Sequence, residues 1–388
     1  MTRRIAIILN PYAGRGKALK RRAELEKALE ETAYRLSLPG SSYWRIIESE
    51  EPGHAEELAR DAAAFGFEVV AAAGGDGTLS EVANGVAKSN VNCLLGVIPF
   101  GTGNDFARCI GIGTDLHFAI ETLFSGEVRK IDAGRVVFLD NELSVENPFE
   151  IPTTRKAHVF EAENETGRQE FEAAKSQERE EIDGDRQDFP LVLLAQPAST
   201  ELPGRLFLNI AGCGIDAVVA DRVNRGFGFI GGTTAYLAAL AQSLLTYRAT
   251  NLTLSLGNEV REVRAMFCCV ANATSYGGGM KVAPNAELDD GLFDICLLKE
   301  TGKLDFLKTF PKVFAGKHID HPKVEIFRAG RLVIESDPPL PVLVDGDVLG
   351  KTPFEIQIVP NALSFLFPSN QESEFPAIIP MSKRKTGS

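Results

Sequence analysis

The run Gly74-Gly75-Asp76-Gly77-Thr78 constrains this chain more than any other stretch. It follows an apolar, β-type run, Glu68-Val69-Val70-Ala71-Ala72-Ala73, and precedes a helical pattern, Leu79-Ser80-Glu81-Val82-Ala83-Asn84. A strand, a glycine turn and a helix start form a place where a phosphate rests on backbone N–H groups. A carboxylate in such a cradle makes little sense unless a metal ion or a reacting hydroxyl is also present. The run therefore points to phosphoryl transfer rather than to nucleotide binding alone. The competing reading is that Asp76 only caps the following helix. A cap needs one glycine at most, and here a glycine stands on each side.

Two more strand-to-helix turns carry the same texture. Ile5-Ala6-Ile7-Ile8-Leu9 runs into Asn10-Pro11-Tyr12-Ala13-Gly14-Arg15-Gly16-Lys17, where Gly14 and Gly16 allow close backbone approach and Arg15 or Lys17 can neutralise phosphate. Leu94 to Pro99 runs into Phe100-Gly101-Thr102-Gly103-Asn104-Asp105-Phe106. There Thr102 can bond a phosphate or the adenine end, and Asp105 can hold Mg²⁺ through water. Capping by Asn104 or Asp105 is the plainer alternative. Helical patterns at Ala18–Thr32, His54–Phe65 and Ser80–Ala87 and a strand at Trp44–Glu48 complete the alternation. Alternation of this kind predicts a parallel sheet with ligand at the carboxyl ends of its strands, so all three turns share one edge.

Past about Asp132 the texture changes to short Val-, Leu- and Phe-rich runs, at 135–139, 206–210, 252–256, 265–271, 293–298, 332–334 and 342–344. These predict a mostly antiparallel β-sandwich domain over 133–360 after an α/β domain over 1–132. A short run at 361–368 is a candidate final strand returning to the first domain. Residues about 140–203 read as an exposed acidic insertion and 369–388 as a disordered tail, whose Lys383-Arg384-Lys385 triplet is weak evidence for an anionic membrane.

The 388 residues and 44% hydrophobic content allow two domains with sizeable cores. A net charge of −12 with no basic stripe argues against nucleic acid as a partner. Six cysteines without CxxC spacing read as reduced core residues of a cytoplasmic protein. The longest uncharged stretch, Gly226–Tyr247, is too polar for a membrane span and reads as a glycine turn, a threonine cap and a helix from Ala235 to Leu245. Any contact with lipid is then peripheral.

Three further segments admit chemistry. Tyr276-Gly277-Gly278-Gly279-Met280 needs an unusual backbone or a bulky neighbour. Asp289-Asp290-Gly291 is a plain turn by spacing, with cation binding as the alternative. Val344-Asp345-Gly346-Asp347 is a hairpin by spacing, and a proton-accepting carboxylate by function.

Taken in order, these segments resemble the diacylglycerol kinase catalytic-domain superfamily, which includes sphingosine and ceramide kinases, and most of all its compact bacterial lipid kinases. NAD kinases and phosphofructokinases share the Gly-Gly-Asp-Gly turn but lack the Pro-x-Gly-Thr-x-Asn-Asp-Phe segment seen at Pro99–Phe106. The resemblance implies an ATP- and Mg²⁺-dependent kinase of a lipid hydroxyl at a membrane surface, with NAD-type metabolite kinase and non-catalytic regulator as alternatives and a homodimer left open. It implies nucleotide binding by Asn10, Pro11, Gly14, Gly16, Lys17, Gly74–Thr78, Gly101, Thr102 and Asn104. It assigns Asp76, Asp105 and Asp132 to the catalytic Mg²⁺. A second, structural Mg²⁺ is implied at Asp290, with carbonyls of Glu287 and Leu292. Glu287 departs from relatives that carry Lys there. The catalytic base falls on Asp345 or Asp347, in a segment where the family has Asp-Gly-Glu, and Asp76 is cast as an organiser of metal and phosphate.

Overall fold

The computed structural model describes residues 3–37, 43–139, 204–226 and 233–369. The segments read as an acidic insertion and, from 370 on, as a disordered tail lie outside the described residues.

The first part builds a parallel block. Strands β1 (Ile5–Leu9), β2 (Trp44–Glu48), β3 (Val69–Gly74) and β4 (Leu94–Pro99) lie in the order β2-β1-β3-β4. Their registers run Ile5↔Trp44, Ile5↔Val69 and Val69↔Leu94, all parallel. Every residue of β1 and β3 is buried, which is why both read as continuous apolar runs and not as alternation. Between them run α1 (Ala13–Lys20), α2 (Arg22–Arg35), α3 (His54–Ala64) and α4 (Asp76–Lys88), followed by α5 (Asp105–Cys109) and α6 (Leu116–Ser125). Leu25, Ala28 and Leu29 of α2 and Leu116, Ile120 and Leu123 of α6 pack with the strands into one core. The single helix expected over Ala18–Thr32 is two helices broken at Arg21.

The remainder is mostly antiparallel: β5 (Glu127–Phe138), β6 (Arg205–Phe207), β7 (Ile210–Gly214), β8 (Thr250–Leu256), β9 (Glu259–Ala271), β10 (Phe293–Lys299), β11 (Val324–Ala329), β12 (Arg331–Asp337), β13 (Pro341–Val344), β14 (Asp347–Lys351) and β15 (Phe354–Phe367). Helices α7 (Ile215–Gly226), α8 (Thr233–Thr246) and α9 (Lys303–Thr309) accompany them. The expected run at 206–210 is split between β6 and β7, and β11 and β14 were not read from the sequence as strands. Stacked Phe207 and Phe293, with ring centroids 5.6 Å apart, sit in the core of this part with Leu254, Ile334 and Phe354.

The long strand β15 joins the two textures. Its first half pairs antiparallel with β12, and its second half lies parallel to β4 through Ser364↔Leu94 and Phe365↔Leu95. Strand β5 accompanies it antiparallel from Phe354↔Phe138 to Phe367↔Glu127, with a register shift between Val359 and Leu363. Asn361 in that shift has a left-handed φ of 51°. No described helix is long and apolar enough to cross a membrane.

Candidate active site

Because β1, β3 and β4 are parallel neighbours, the three glycine turns emerge from one edge of the sheet and bond to one another. Asn10 N donates to Ala73 O at 3.0 Å, and Asn10 Nδ2 donates to Thr78 Oγ1 at 3.0 Å. Phe100 N and Gly101 N both donate to Gly74 O at 2.9 Å. The backbones at Gly75 and Gly101 nearly touch: a Cβ on Gly101 would stand 2.3 Å from Gly75 Cα. Gly74, Gly75, Gly77, Thr78, Gly101 and Asn104 thus form a single backbone surface, with Thr102 exposed at its rim. Pro11 follows Asn10 in the first turn, and Gly14, Gly16 and Lys17 lie in α1.

Asp76 is the first residue of α4 and makes no side-chain cap there. Its carboxylate instead caps α5, accepting from Asp105 N at 3.1 Å and Phe106 N at 3.0 Å. Asn104, the residue before α5, spends its side chain on Gly101, accepting from its N at 2.9 Å and donating to its O at 3.0 Å. The capping alternative at the first acidic turn thus holds in a modified form, since Asp76 caps a different helix.

Asp105 passes the chain of bonds to the antiparallel part. Its buried carboxylate accepts from Gly278 N at 2.7 Å and Gly279 N at 2.6 Å. Burial raises its carboxyl above the ordinary range, the amides oppose this, and the like charge of Asp76 adds to it. The triple glycine now has a reason. Gly277, Gly278 and Gly279 all adopt positive φ, 63°, 86° and 103°, while Tyr276 and Met280 close the loop with two backbone hydrogen bonds. Successive left-handed residues aim adjacent N–H groups at one anion, a nest that side chains other than glycine strain.

The β13–β14 hairpin supplies the opposing wall. Asp345 and Gly346 have φ of 47° and 101°, the pair of left-handed residues a type I′ turn requires. Asp345 is buried and accepts from Leu208 N and Asn209 N, each at 2.8 Å, and from Ile210 N at 3.2 Å. Burial pushes its carboxyl up to about 6 against these three donors, with a further push from the Asp76 charge, which places the hairpin close to the glycine turns. Asp347 is exposed. The surrounding walls still desolvate its carboxyl enough to raise it, and the Arg205 charge partly offsets this. The hairpin reading and the carboxylate reading of this segment are both realised.

Arg205, Asn209 and Asn272 were not singled out from the sequence. Arg205 pairs with the buried Glu56 at 3.2 Å. Asn272 Nδ2 donates to Asp132 O at 3.1 Å and Leu208 O at 3.0 Å, fixing the segment that Asp345 holds. The only signal in the sequence is a polar residue beside an apolar run.

The expected metal residues separate. Asp76 and Asp105 adjoin. Asp132 gives its carboxylate to Gly291 N and Asn361 N, each at 2.7 Å, so it staples the 289–291 turn to β15. Among the described residues no three acid, His or Cys side chains gather where they would share a metal ion. A cation at Asp76 and Asp105 would therefore be held through water, which suits two adjoining carboxylates whose amide bonds leave lone pairs free. Asp290 is half-buried and ion-paired with Arg328, Glu287 is exposed, and Leu292 N donates to Asp290 Oδ1 at 3.0 Å.

Behind the triple-glycine loop lies an apolar pocket with about 60 Å³ of enclosed space, or about 650 Å³ when the open solvent at its mouth is included. Leu240 of α8, Phe267, Met280, Leu298, Phe306 and Phe310 form most of its wall. Asp216 and Tyr276 are among its polar lining: the Tyr276 hydroxyl lies 3.5 Å from Asp216 Oδ2, and Asp216 Oδ1 has no hydrogen-bond partner among the described residues. Burial raises the Asp216 carboxyl to about 6.

Residues 4–136 match the family model described as diacylglycerol kinase catalytic domain, and residues 209–367 match the YegS C-terminal NAD kinase beta sandwich-like domain. The chain is 26% identical over 354 residues to a diacylglycerol kinase of Bacillus subtilis, covering 91% of this chain and 92% of the relative. It is 28% identical over 367 residues to a diacylglycerol kinase of Mycobacterium tuberculosis, covering 94% and 95%. A crystal structure of a diacylglycerol kinase from Bacillus anthracis shares the fold, with a TM-score of 0.59 at 19% identity over 94% of this chain and 97% of that one.

Proposed function

Because the chain belongs to the diacylglycerol kinase catalytic-domain superfamily, we propose that it is an ATP-dependent lipid kinase, moving the γ-phosphoryl of ATP to a lipid hydroxyl at a membrane surface. The observation that carries this reading is the Asp345-Gly346-Asp347 hairpin. Its buried Asp345 lies near enough to Asp76 for the two charges to act on each other, and the exposed carboxylate of Asp347 stands two residues on. The apolar cavity behind the triple-glycine loop offers the acceptor's hydrocarbon chain a place that a soluble metabolite would not need.

The triphosphate lies on the Gly74–Thr78 and Gly101–Asn104 turns. Asp76 and Asp105 would hold Mg²⁺ through water, and the ion would supply charge neutralisation for the transferring phosphoryl group. Asp347 orients the lipid hydroxyl and takes its proton as the oxygen bonds to the γ-phosphorus. The β–γ bridge bond breaks and ADP leaves. Asp345 is spent on three amides and acts as a positioning residue.

The test is incubation of the protein with γ-labelled ATP, Mg²⁺ and detergent micelles carrying diacylglycerol, a sphingoid base, ceramide or phosphatidylglycerol. A labelled phospholipid is expected. Label on NAD instead, or on no acceptor of the panel, overturns the reading.

A further inference from the structure

The family resemblance places a second, structural divalent cation at Asp290, and the surroundings of that carboxylate do not suit one. Asp290 Oδ2 is ion-paired with the Arg328 guanidinium, and Asp290 Oδ1 accepts from Leu292 N at 3.0 Å. Asp290 Oδ1 is thus taken by an amide, and Oδ2, which makes no hydrogen bond among the described residues, lies against the guanidinium charge. Arg328 extends from β11 directly opposite Asp294 of β10, and its Nε lies 3.5 Å from Asp294 Oδ2. Asp294 is buried and that oxygen makes no hydrogen bond, so the guanidinium is its counter-charge. Glu287 is near enough for its charge to act on Asp294. Two carboxylates, Asp290 and Asp294, therefore share one cation that the chain itself supplies.

Arginine stays protonated at any working pH and cannot make room for a metal by losing its proton. A divalent ion at Asp290 would sit against a fixed positive charge. Mg²⁺ also demands near-octahedral oxygen ligands, and a planar fork reaching two carboxylates occupies that space. The fork matches carboxylate geometry in a way a lysine would not.

We propose that the Arg328 guanidinium takes the place of the structural divalent cation in this chain, bridging Asp290 and Asp294 and holding the turn that leads into β10. The consequence is local and specific. The turn is bolted to β5 through Gly291 N and Asp132, and Arg328 closes its other side. This protein then carries no divalent ion independent of nucleotide at Asp290. The inference rests on the family's second-cation position and not on the lipid acceptor, so its test uses no kinase assay.

The experiment is a titration of EDTA-treated full-length protein with Mn²⁺, followed by electron paramagnetic resonance without nucleotide. Wild type and Asp290→Asn are expected to bind the same number of ions, and the Tm of wild type to stay put on adding Mg²⁺. Arg328→Met should lower the Tm by roughly 2–4 °C, because it leaves Asp290 and Asp294 without their shared counter-charge. If that variant does not fold, Arg328→Lys, which keeps the charge and loses the fork, should still melt below wild type. A wild-type Mn²⁺ site that vanishes in Asp290→Asn overturns the proposal. So does an Arg328→Met, or in its place an Arg328→Lys, that melts with wild type.

Discussion

On the parallel side of the site, Asp76 and Asp105 each give both carboxylate oxygens to backbone N–H groups. On the antiparallel side, two residues of a single hairpin divide the work. Asp345 is buried against three amides, while Asp347 two residues on stands open beside Arg205. An acid fixed by two or three charge-assisted bonds is held in place. An open acid is free to meet a substrate proton. In the proposed kinase reading, the parallel side would be the rigid surface for phosphate and cation, and the antiparallel side would supply the open proton acceptor and the pocket for the acceptor's tail.

The largest effect should come from removing the open acid. Asp347→Asn is expected to lower kcat by about 10²–10⁴-fold, the usual contribution of a general base. Its Tm and its ATP affinity should match wild type, because the side chain is exposed and its partner Arg205 keeps Glu56. Asp347→Glu retains the carboxylate and should recover most of the rate. Steady-state kinetics with a lipid acceptor decide this, and an unimpaired Asp347→Asn would place the proton acceptor elsewhere.

Replacing its neighbour should move stability first. Asn at position 345 offers one acceptor oxygen to three amides and turns its NH₂ towards at least one of them. A buried N–H left unpaired costs about 1–3 kcal/mol, so Asp345→Asn should lose stability in that range in urea unfolding, and Asp347→Asn should not. Equal stability of the two variants would erase the contrast within the hairpin.

The parts of this site that the sequence revealed are those carried by short segments. An apolar run of five or six residues followed by glycines marks a buried strand and a tight turn locally. The parallel-sheet rule then brings Asn10, Gly74–Thr78 and Gly101–Asn104 to one edge without any structure. The left-handed pair at Asp345-Gly346 was readable as a hairpin for the same reason. What stayed hidden depends on partners far along the chain. Nothing near Asp105 announces that its carboxylate belongs to Gly278 and Gly279, and nothing near Asp290 announces Arg328. Asn272 is one polar residue after an apolar strand, and its amide matters only because β5 and the 208–210 segment pass beside it. Strand β15 was partly missed because Pro360-Asn361 interrupts its pattern, although the kink is what lets one strand serve both β12 and β4. Strand β11 was missed because it alternates apolar with charged residues in a short run at the sheet's margin.

The smallest effect concerns another buried carboxyl of the antiparallel part, Asp216 in the cavity wall. Asp105 is buried with two amides from across the site, whereas Asp216 has its own and the Ala217 backbone amides and a long contact to Tyr276. Its carboxyl is raised to about 6 by burial, against about 3.9 in an unfolded chain. Between those values the native state binds more protons than the unfolded state, so stability falls as pH rises. The contribution of the neutral Asp216 is complete below about pH 4 and is lost as pH rises through about 6. Asp216→Asn has no such group, while Asp345 titrates alike in both proteins and cancels. The stability advantage of wild type over Asp216→Asn should therefore shrink by about 1 kcal/mol from about pH 5 to about pH 6. Urea midpoints at the two pH values measure it. A difference that stays flat would mean that Asp216 is already ionised in the native cavity. The polar group facing an acceptor's chain would then be an anion and not a carboxylic acid.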